Sequence, residues 1–149
     1  MGLIQIINHL IVKNMAYKII DIEGIGEAYA AKLEAAGVKT PEDLLAACAS
    51  AKGRKEMAEK TEISEKLILR WTNHADLFRI KGVGPQFAEL LEAAGVDTVK
   101  EFRHRVAANL QKKMEEVNAE KNLVNRVPSE SELQKMIDQA KEMEVTMSY

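Results

Sequence analysis

The chain has 149 residues, with 21 Lys and Arg against 23 Asp and Glu, so its formal charge is −2. A chain of this length can bury a real core in one domain or two small ones. Aromatic residues make up 5% and charged residues 30%, which favours helices and excludes a disordered chain, a collagen-like repeat and a disulfide scaffold. The near balance of charge argues against a globally basic nucleic-acid-binding protein, although local basic patches stay open.

The N-terminal residues and the single cysteine bear on location. Residues 3–12 are apolar but fall short of the roughly 20 residues that span a bilayer, and no signal-peptide cleavage site follows them. Cys48 has no partner for an internal disulfide bond, which favours a reducing compartment. We therefore expect a soluble, cytoplasmic protein that has no membrane partner.

A sequence repeat organises the rest of the chain. Residues 23–26, Glu-Gly-Ile-Gly, recur 58 residues later as Lys-Gly-Val-Gly, and Leu-Glu-Ala-Ala-Gly-Val at 33–38 returns unchanged at 91–96. An exact six-residue match inside a longer pattern indicates a duplication. The predicted domain organisation has three parts: an N-terminal extension (1–16), a first repeat with a helical pair (17–74) and a second repeat with C-terminal helices (75–149).

The predicted elements are helices joined by short turns. Apolar spacing and capping residues predict helices, in chain order, over residues 27–36, from Thr40-Pro41 onward, over 54–59 and 64–78, from Thr98 onward, over 109–120 and from Ser129 to about 144. Gly37 and Gly95 follow the matched helices, where a left-handed residue ends a helix. Only residues 17–22 could form a short strand. The predicted fold is therefore all-α.

A glycine–apolar–glycine turn in each half is the most informative motif. The first turn comprises Gly24, Ile25 and Gly26, and the second comprises residues 82–84. Glycine permits positive φ and the close approach of another backbone, and the central apolar residue would pack into the helix junction. The amides that open the next helix have no intrahelical acceptor, so they attract an anion such as a nucleic-acid phosphate.

These turns carry a resemblance. Residues 24–33 (Gly-Ile-Gly-x3-Ala-x2-Leu) and 82–91 (Gly-Val-Gly-x3-Ala-x2-Leu) resemble helix-hairpin-helix motifs. More closely, residues 17–149 resemble the prokaryotic domain-of-unknown-function 4332 family, including Trp71 and the Arg-Val-Pro-Ser junction at 126–129. The resemblance implies two duplicated helix-hairpin-helix units packed with additional helices as one compact domain. It also implies DNA binding, through a distant relation to the DNA-binding element of flap endonucleases, and a natural start near Met15.

The charges around the two turns differ. Asp21, Glu23 and Glu27 frame the first turn and would repel a phosphate, so we interpret Gly24, Ile25 and Gly26 as structural. The second turn has cations beside its glycines and no following acid until Glu89. The candidate nucleic-acid-binding residues are Arg79, Lys81, Gly82, Val83, Gly84 and Gln86.

A second candidate lies between the halves. Residues 51–74 carry six cations and four anions, and residues 57–71 have the spacing of a helix-turn-helix motif. Its second helix could present Lys66, Arg70 and Asn73 to DNA, although Glu62 occupies the turn where such motifs usually place glycine. The other interpretation is core packing with a solvated cationic face, in which Trp71 belongs to the core.

No catalytic constellation is visible in the sequence. The histidines are scattered without metal-ligand spacing, and Cys48 lies in an Ala-rich helix without a nearby His. The acids are interleaved with Lys on helix faces and do not converge as a metal-dependent nuclease requires. We expect no enzyme activity, no cofactor, no metal and no small-molecule substrate.

Two functions from different classes therefore remain open. The first is a non-enzymatic module that binds the DNA backbone, without reading bases, through the second turn. The second is a protein-interaction or scaffold module in which the glycine turns only set helix angles. The glycine turns and the resemblance favour the first, whereas the balanced charge favours the second.

Overall fold

Eight α-helices and one short 3-10 helix make up the regular structure of residues 17–149, which are the residues that the computed structural model describes. The helices are α1 (Glu27–Ala35), α2 (Pro41–Cys48), α3 (Ala51–Thr61), α4 (Glu65–Leu77), α5 (Pro85–Ala93), α6 (Val99–Phe102), α7 (Ala107–Lys121) and α8 (Glu130–Lys141). The described residues contain no strand, so the all-α prediction is confirmed. The predicted extension at residues 1–16 lies outside them.

The strand considered for residues 17–22 is wrong, because Ile19–Asp21 form the 3-10 helix. The Ile22 amide donates to the Ile19 carbonyl, and the Lys18 amide donates to the Asp21 carboxylate at 2.8 Å. These local bonds use groups that a strand would offer to a neighbour. The segment therefore forms a turn that leads into the first glycine turn.

The start of α3 and the end of α8 differ from the predicted positions by about three residues. Helix α3 begins three residues earlier than predicted, because the Ser50 hydroxyl accepts a hydrogen bond from the Gly53 amide at 3.1 Å. Helix α8 ends at Lys141 instead of near residue 144, since the amides of Glu142 and Met143 close a final turn. The chain beyond it then crosses to the first half.

The repeat is preserved in the hydrogen bonds of both halves. Three kinds of bond recur 58 residues apart: one closes the glycine turn, one ends the next helix, and one caps the helix after that. The donor and acceptor pairs are Ile25 N to Ile22 O and Val83 N to Ile80 O, Val38 N to Leu33 O and Val96 N to Leu91 O, and Asp43 N to Thr40 Oγ1 and Glu101 N to Thr98 Oγ1. Gly24 and Gly82 have matching φ values of 93° and 91°, which only glycine adopts without strain.

Buried hydrophobic residues from both halves form one cluster. Trp71 and Phe78 are among its largest fully buried side chains, so the core position predicted for Trp71 is confirmed. Tyr29 packs edge-on against Trp71 with ring centroids 5.0 Å apart, and Tyr17 packs against Phe78 at 5.3 Å. Because Tyr17 and Phe78 belong to different repeats, the two glycine turns are held by shared packing.

The C-terminal residues join the two halves. Met147 is buried, and the Ser148 amide donates to the Ala49 carbonyl at 2.9 Å. The buried Arg54 guanidinium donates to the Ser148 carbonyl at 2.7 Å and lies 5.5 Å from the centre of the Tyr149 ring. A buried cation needs such acceptors to offset its loss of water. The tail therefore fastens α8 to the end of α2 and the start of α3.

Candidate nucleic-acid interface

The second glycine turn exposes its charge and buries its apolar residue. Lys81 and Gly82 are exposed, whereas Val83 is buried between the flanking helices. Gly84 is the N-cap of α5 and supplies no capping side chain, and Pro85 follows at the first helical position. Gln86 is exposed one residue later. The turn thus presents a lysine and the uncapped start of a helix on one surface.

The helices that follow the glycine turns differ in capping from most helices of the fold. Five of the helices in residues 17–149 begin at a hydroxyl residue whose side chain accepts a backbone N–H: Thr40, Ser50, Ser64, Thr98 and Ser129. Helices α1 and α5 begin at Gly26 and Gly84 and have no side-chain cap, and α7, whose N-cap is Val106, has none either. Their first amides are left for water or an external acceptor, which is the arrangement that attracts an anion.

Arg79, a predicted contact residue, is already engaged. Its Nε and Nη2 atoms donate to Asp76 Oδ1 at 3.0 and 2.7 Å, and its Nη1 donates to the Glu144 carbonyl at 3.0 Å. Asp76 is buried, and its second oxygen accepts the Val99 amide at 2.9 Å. The geometry gives Arg79 a positioning role in holding the second turn against α6 and the tail, and leaves Lys81 as the more accessible cation.

Side chains from outside the repeat unit cover the second turn more closely than the first. A Cβ added to Gly82 would lie 3.1 Å from Met136 Cε, and one added to Gly84 would lie 2.6 Å from the Tyr17 hydroxyl oxygen. At the first turn, a Cβ on Gly24 would lie 3.1 Å from Trp71 Nε1, whereas one on Gly26 would meet nothing within 4 Å. Tyr17 therefore lies over the start of α5, while Lys81 and Gln86 remain exposed.

The first turn is open but acidic. Glu23 and Glu27 are exposed, and Ile25 is buried in the junction. Burial, and then the charge of Glu23, raise the pKa of the Glu89 carboxyl on α5, so acids of both halves lie within reach of each other. Such a surface repels a phosphate, in keeping with the structural role predicted for Gly24, Ile25 and Gly26.

The cation predicted at the centre of the helix-turn-helix surface is also paired. Arg70 on α4 donates to both carboxylate oxygens of Glu92 on α5, and His74 Nε2 donates to Glu92 Oε2 at 2.9 Å. The hydrogen bond from His74, together with Arg70, lowers the pKa of Glu92 to about 2. Lys66 is exposed, and Asn73 is half-buried. The exposed polar face of α4 is thus partly used to bind α5.

Comparison with protein families places both turns inside one family. The family model described as Domain of unknown function (DUF4332) matches residues 23–143. The chain belongs to this family. A search of curated proteins found no match, and a search of solved structures also found none. The description of DUF4332 names no activity.

One cationic stretch of the DUF4332 protein escaped the sequence reasoning. Residues 99–113 carry five Lys and Arg and one acid, Glu101, a higher positive charge than residues 51–74. The stretch lies outside both the glycine turns and the segment between the halves. A charge count in a sliding window of about one helix length finds it directly.

The described part of the DUF4332 protein contains no group of three His, Cys, Asp or Glu side chains that could hold a metal ion. Cys48 is buried, and burial raises the pKa of its thiol to about 11, which keeps it protonated and unreactive at neutral pH. No helix within residues 17–149 has the length and apolar character needed to cross a bilayer.

Proposed function

We propose that this DUF4332 protein is a non-enzymatic module that binds the phosphate backbone of nucleic acid through the second glycine turn. The observation that carries the proposal is the conjunction of an exposed Lys81 with an uncapped α5. A phosphate at that helix terminus accepts backbone N–H groups and meets the positive end of the helix dipole. In this proposal the two glycine turns are helix-hairpin-helix turns.

Each residue of the second turn has a defined part in the proposal. Lys81 supplies charge, and Gln86 supplies its backbone amide and its side chain. Gly82 lets the backbone approach the ligand. Val83 anchors the turn in the core, and Arg79 fixes its orientation through Asp76. The Tyr17 hydroxyl beside Gly84 adds a hydrogen-bond donor at the edge of the site.

Binding of this kind does not read bases, because all its contacts go to the backbone. It weakens as salt rises, since each neutralised phosphate releases counterions. In this proposal the module is a prokaryotic, cytoplasmic DNA-binding protein, since DNA in such cells is reached without crossing a membrane.

The test is a fluorescence-anisotropy titration of a labelled DNA duplex at low salt. We expect Lys81→Glu to weaken binding about tenfold or more and to reduce the salt slope by about 1. The matched control is Lys39→Glu, an exposed lysine after α1 in the first half, which should change the affinity by less than about twofold. Equal affinities for the two variants would contradict a phosphate site at the second turn.

The second candidate function is a protein-interaction or scaffold module. It is favoured by the packing of the second turn, where Met136 lies against Gly82, Tyr17 lies against Gly84, and Arg79 is paired with Asp76. In that case the only role of the glycines is to let these side chains pack closely against the backbone. A folded protein that does not bind duplex at low salt would support this candidate over the first.

A further inference from the structure

Positive charge is concentrated in a surface that is separate from the second turn. Residues 99–113 carry a charge of +4 in a chain whose total is −2, so all other residues together carry −6. The five cations of this stretch are Lys100, Arg103, Arg105, Lys112 and Lys113. A local field of this strength is attractive to polyanions although the protein as a whole is acidic.

None of these cations forms an ion pair within residues 17–149. The four ion pairs there use other side chains, namely Arg70, His74, Arg79 and Arg126. The one acid of the stretch, Glu101, directs its carboxylate to the Asp97 amide at 3.0 Å. Arg105 donates to the Gly95 carbonyl at 3.2 Å, an acceptor that carries no net charge. The stretch therefore keeps its positive charge.

The fold holds the cations on one short segment. Helix α7 buries Ala107, Leu110 and Met114, which leaves Lys112 and Lys113 exposed. With a rise of 1.5 Å per residue, Lys112 lies about 8 Å along the helix axis from Ala107, the first residue of α7. A duplex presents several phosphates over that length, since it carries one charge per about 1.7 Å of axis.

The cationic segment lies away from Lys81. Arg105 contacts Gly95, which follows the C-terminal end of α5, whereas the second turn precedes its N-terminal end. A helix of nine residues is about 13 Å long. Arg105 and Lys81 are therefore set at opposite ends of α5.

From this arrangement we infer a second binding surface for the phosphate backbone, the α7 surface, which is separate from the second turn. It consists of Lys100, Arg103, Arg105, Lys112 and Lys113. The inference takes its ligand class from the proposed function and does not use that function's residues. A duplex that contacts both ends of α5 would be held at two points, so each surface contributes its own share of affinity and of salt dependence.

The experiment compares two double variants in anisotropy titrations with a fluorescein-labelled duplex of about 20 base pairs, at about 25 mM and 150 mM salt. Lys112→Glu with Lys113→Glu reverses two exposed charges of the surface. Lys52→Glu with Lys55→Glu reverses two exposed charges on α3 and is the matched control. Circular dichroism verifies that all variants are folded, and a Lys112→Ala/Lys113→Ala variant removes the charges more mildly.

We expect the Lys112/Lys113 charge reversal to weaken binding at least about tenfold at low salt and to reduce the salt slope by about 2. The Ala version should shift both in the same direction, and the α3 control should stay within about threefold of the wild type. An α7 variant that binds as tightly as the α3 control would overturn the inference.

Lys81→Glu distinguishes a failure of the proposed site at the second turn from a failure of the α7 surface. If Lys81→Glu binds like its Lys39→Glu control while the α7 variant loses binding, the site at the second turn fails and the α7 surface stands. If only Lys81→Glu loses binding, the α7 surface fails and the turn stands. If the folded wild type binds no duplex at low salt, both proposals are overturned. That outcome includes the case in which the α7 surface binds an acidic protein instead of DNA.

Discussion

The two glycine turns share one backbone and carry opposite charges. Their central amides make the same hydrogen bonds at 3.1 Å, and their first glycines have nearly the same φ. The charged residues that precede the glycines of the first turn pair with their counterparts 58 positions later as Lys18 and Asp76, Asp21 and Arg79, and Glu23 and Lys81. Every pair is reversed in sign. Glycines and apolar residues therefore set the shape of the turn, while the charged positions are free to differ in what they bind.

The same contrast extends to burial. In the first half Lys18 and Asp21 are exposed, and only the Lys18 backbone contacts the Asp21 carboxylate. In the second half Asp76 is buried and pairs with Arg79 at 2.7 Å. The second turn is thus built into the core through its charges, and the first is not.

The largest effect is expected for Asp76→Ala. The change removes the partner of Arg79 and leaves the Val99 amide without its acceptor, so it should lower the free energy of unfolding by about 3 kcal/mol. The equivalent change in the first half, Lys18→Ala, should cost less than about 0.5 kcal/mol. Urea unfolding of both variants measures the difference. Similar losses of unfolding free energy in the two variants would contradict the contrast between the turns.

The next effect concerns pH. The pKa of Glu92 is lowered to about 2 from 4.5, so its stabilising contribution is fully present above about pH 4.5 and is lost as the pH falls toward 2. Because Glu92 is partly exposed, solvent screening reduces its contribution to the free energy of unfolding to about 1–2 kcal/mol at neutral pH.

Glu34, the counterpart of Glu92 in the first repeat, is exposed and provides the control. Glu92→Gln should be less stable than the wild type at neutral pH, and the two should converge as the pH falls from about 4.5 to 2. Glu34→Gln should follow the wild type throughout. Urea unfolding at a series of pH values tests this, and a constant gap between Glu92→Gln and the wild type would contradict it.

The smallest effect compares the second glycines of the two turns. Both are helix N-caps, so replacement by Ala carries the same capping cost in each. A Cβ at Gly84 would additionally lie too close to the Tyr17 hydroxyl, whereas Gly26 faces open space. Gly84→Ala should therefore cost about 1 kcal/mol more than Gly26→Ala in thermal or urea unfolding.

A second substitution checks the cause of that difference. Tyr17→Phe removes the hydroxyl oxygen and keeps the ring against Phe78. In the Gly84→Ala background it should recover most of the additional cost, while in the Gly26→Ala background it should have no such effect. Equal effects in both backgrounds would show that the contact does not distinguish the turns.

Local patterns explain most of what the sequence predicted correctly. The hydroxyl caps at Thr40, Ser64 and Ser129 and the repeat around the glycines act over a few residues, so their signals lie side by side in the sequence. They were sufficient for the all-α class and for most helices. The failure at residues 17–22 is also local, because apolar residues there resembled a strand while Asp21 favoured a turn.

The features that the sequence could not show depend on distant contacts. Nothing near Arg79 indicates that Glu144 will accept its hydrogen bond, or that Asp76 will be buried by α6. The approach of Tyr17 to Gly84 likewise joins residues 67 positions apart. The candidate site could therefore be located from the sequence, but the division between the engaged Arg79 and the exposed Lys81 required the structure.

The most direct test of the account exchanges the charges of the two turns. Glu23→Lys gives the open first turn the lysine that the second turn has, and Lys81→Glu gives the second turn the acid of the first. In duplex titrations across a salt series, we predict tighter binding and a steeper salt slope for Glu23→Lys, and weaker binding and a shallower slope for Lys81→Glu. Affinities and slopes that stay at the wild-type values in both variants would contradict a phosphate site at the glycine turns.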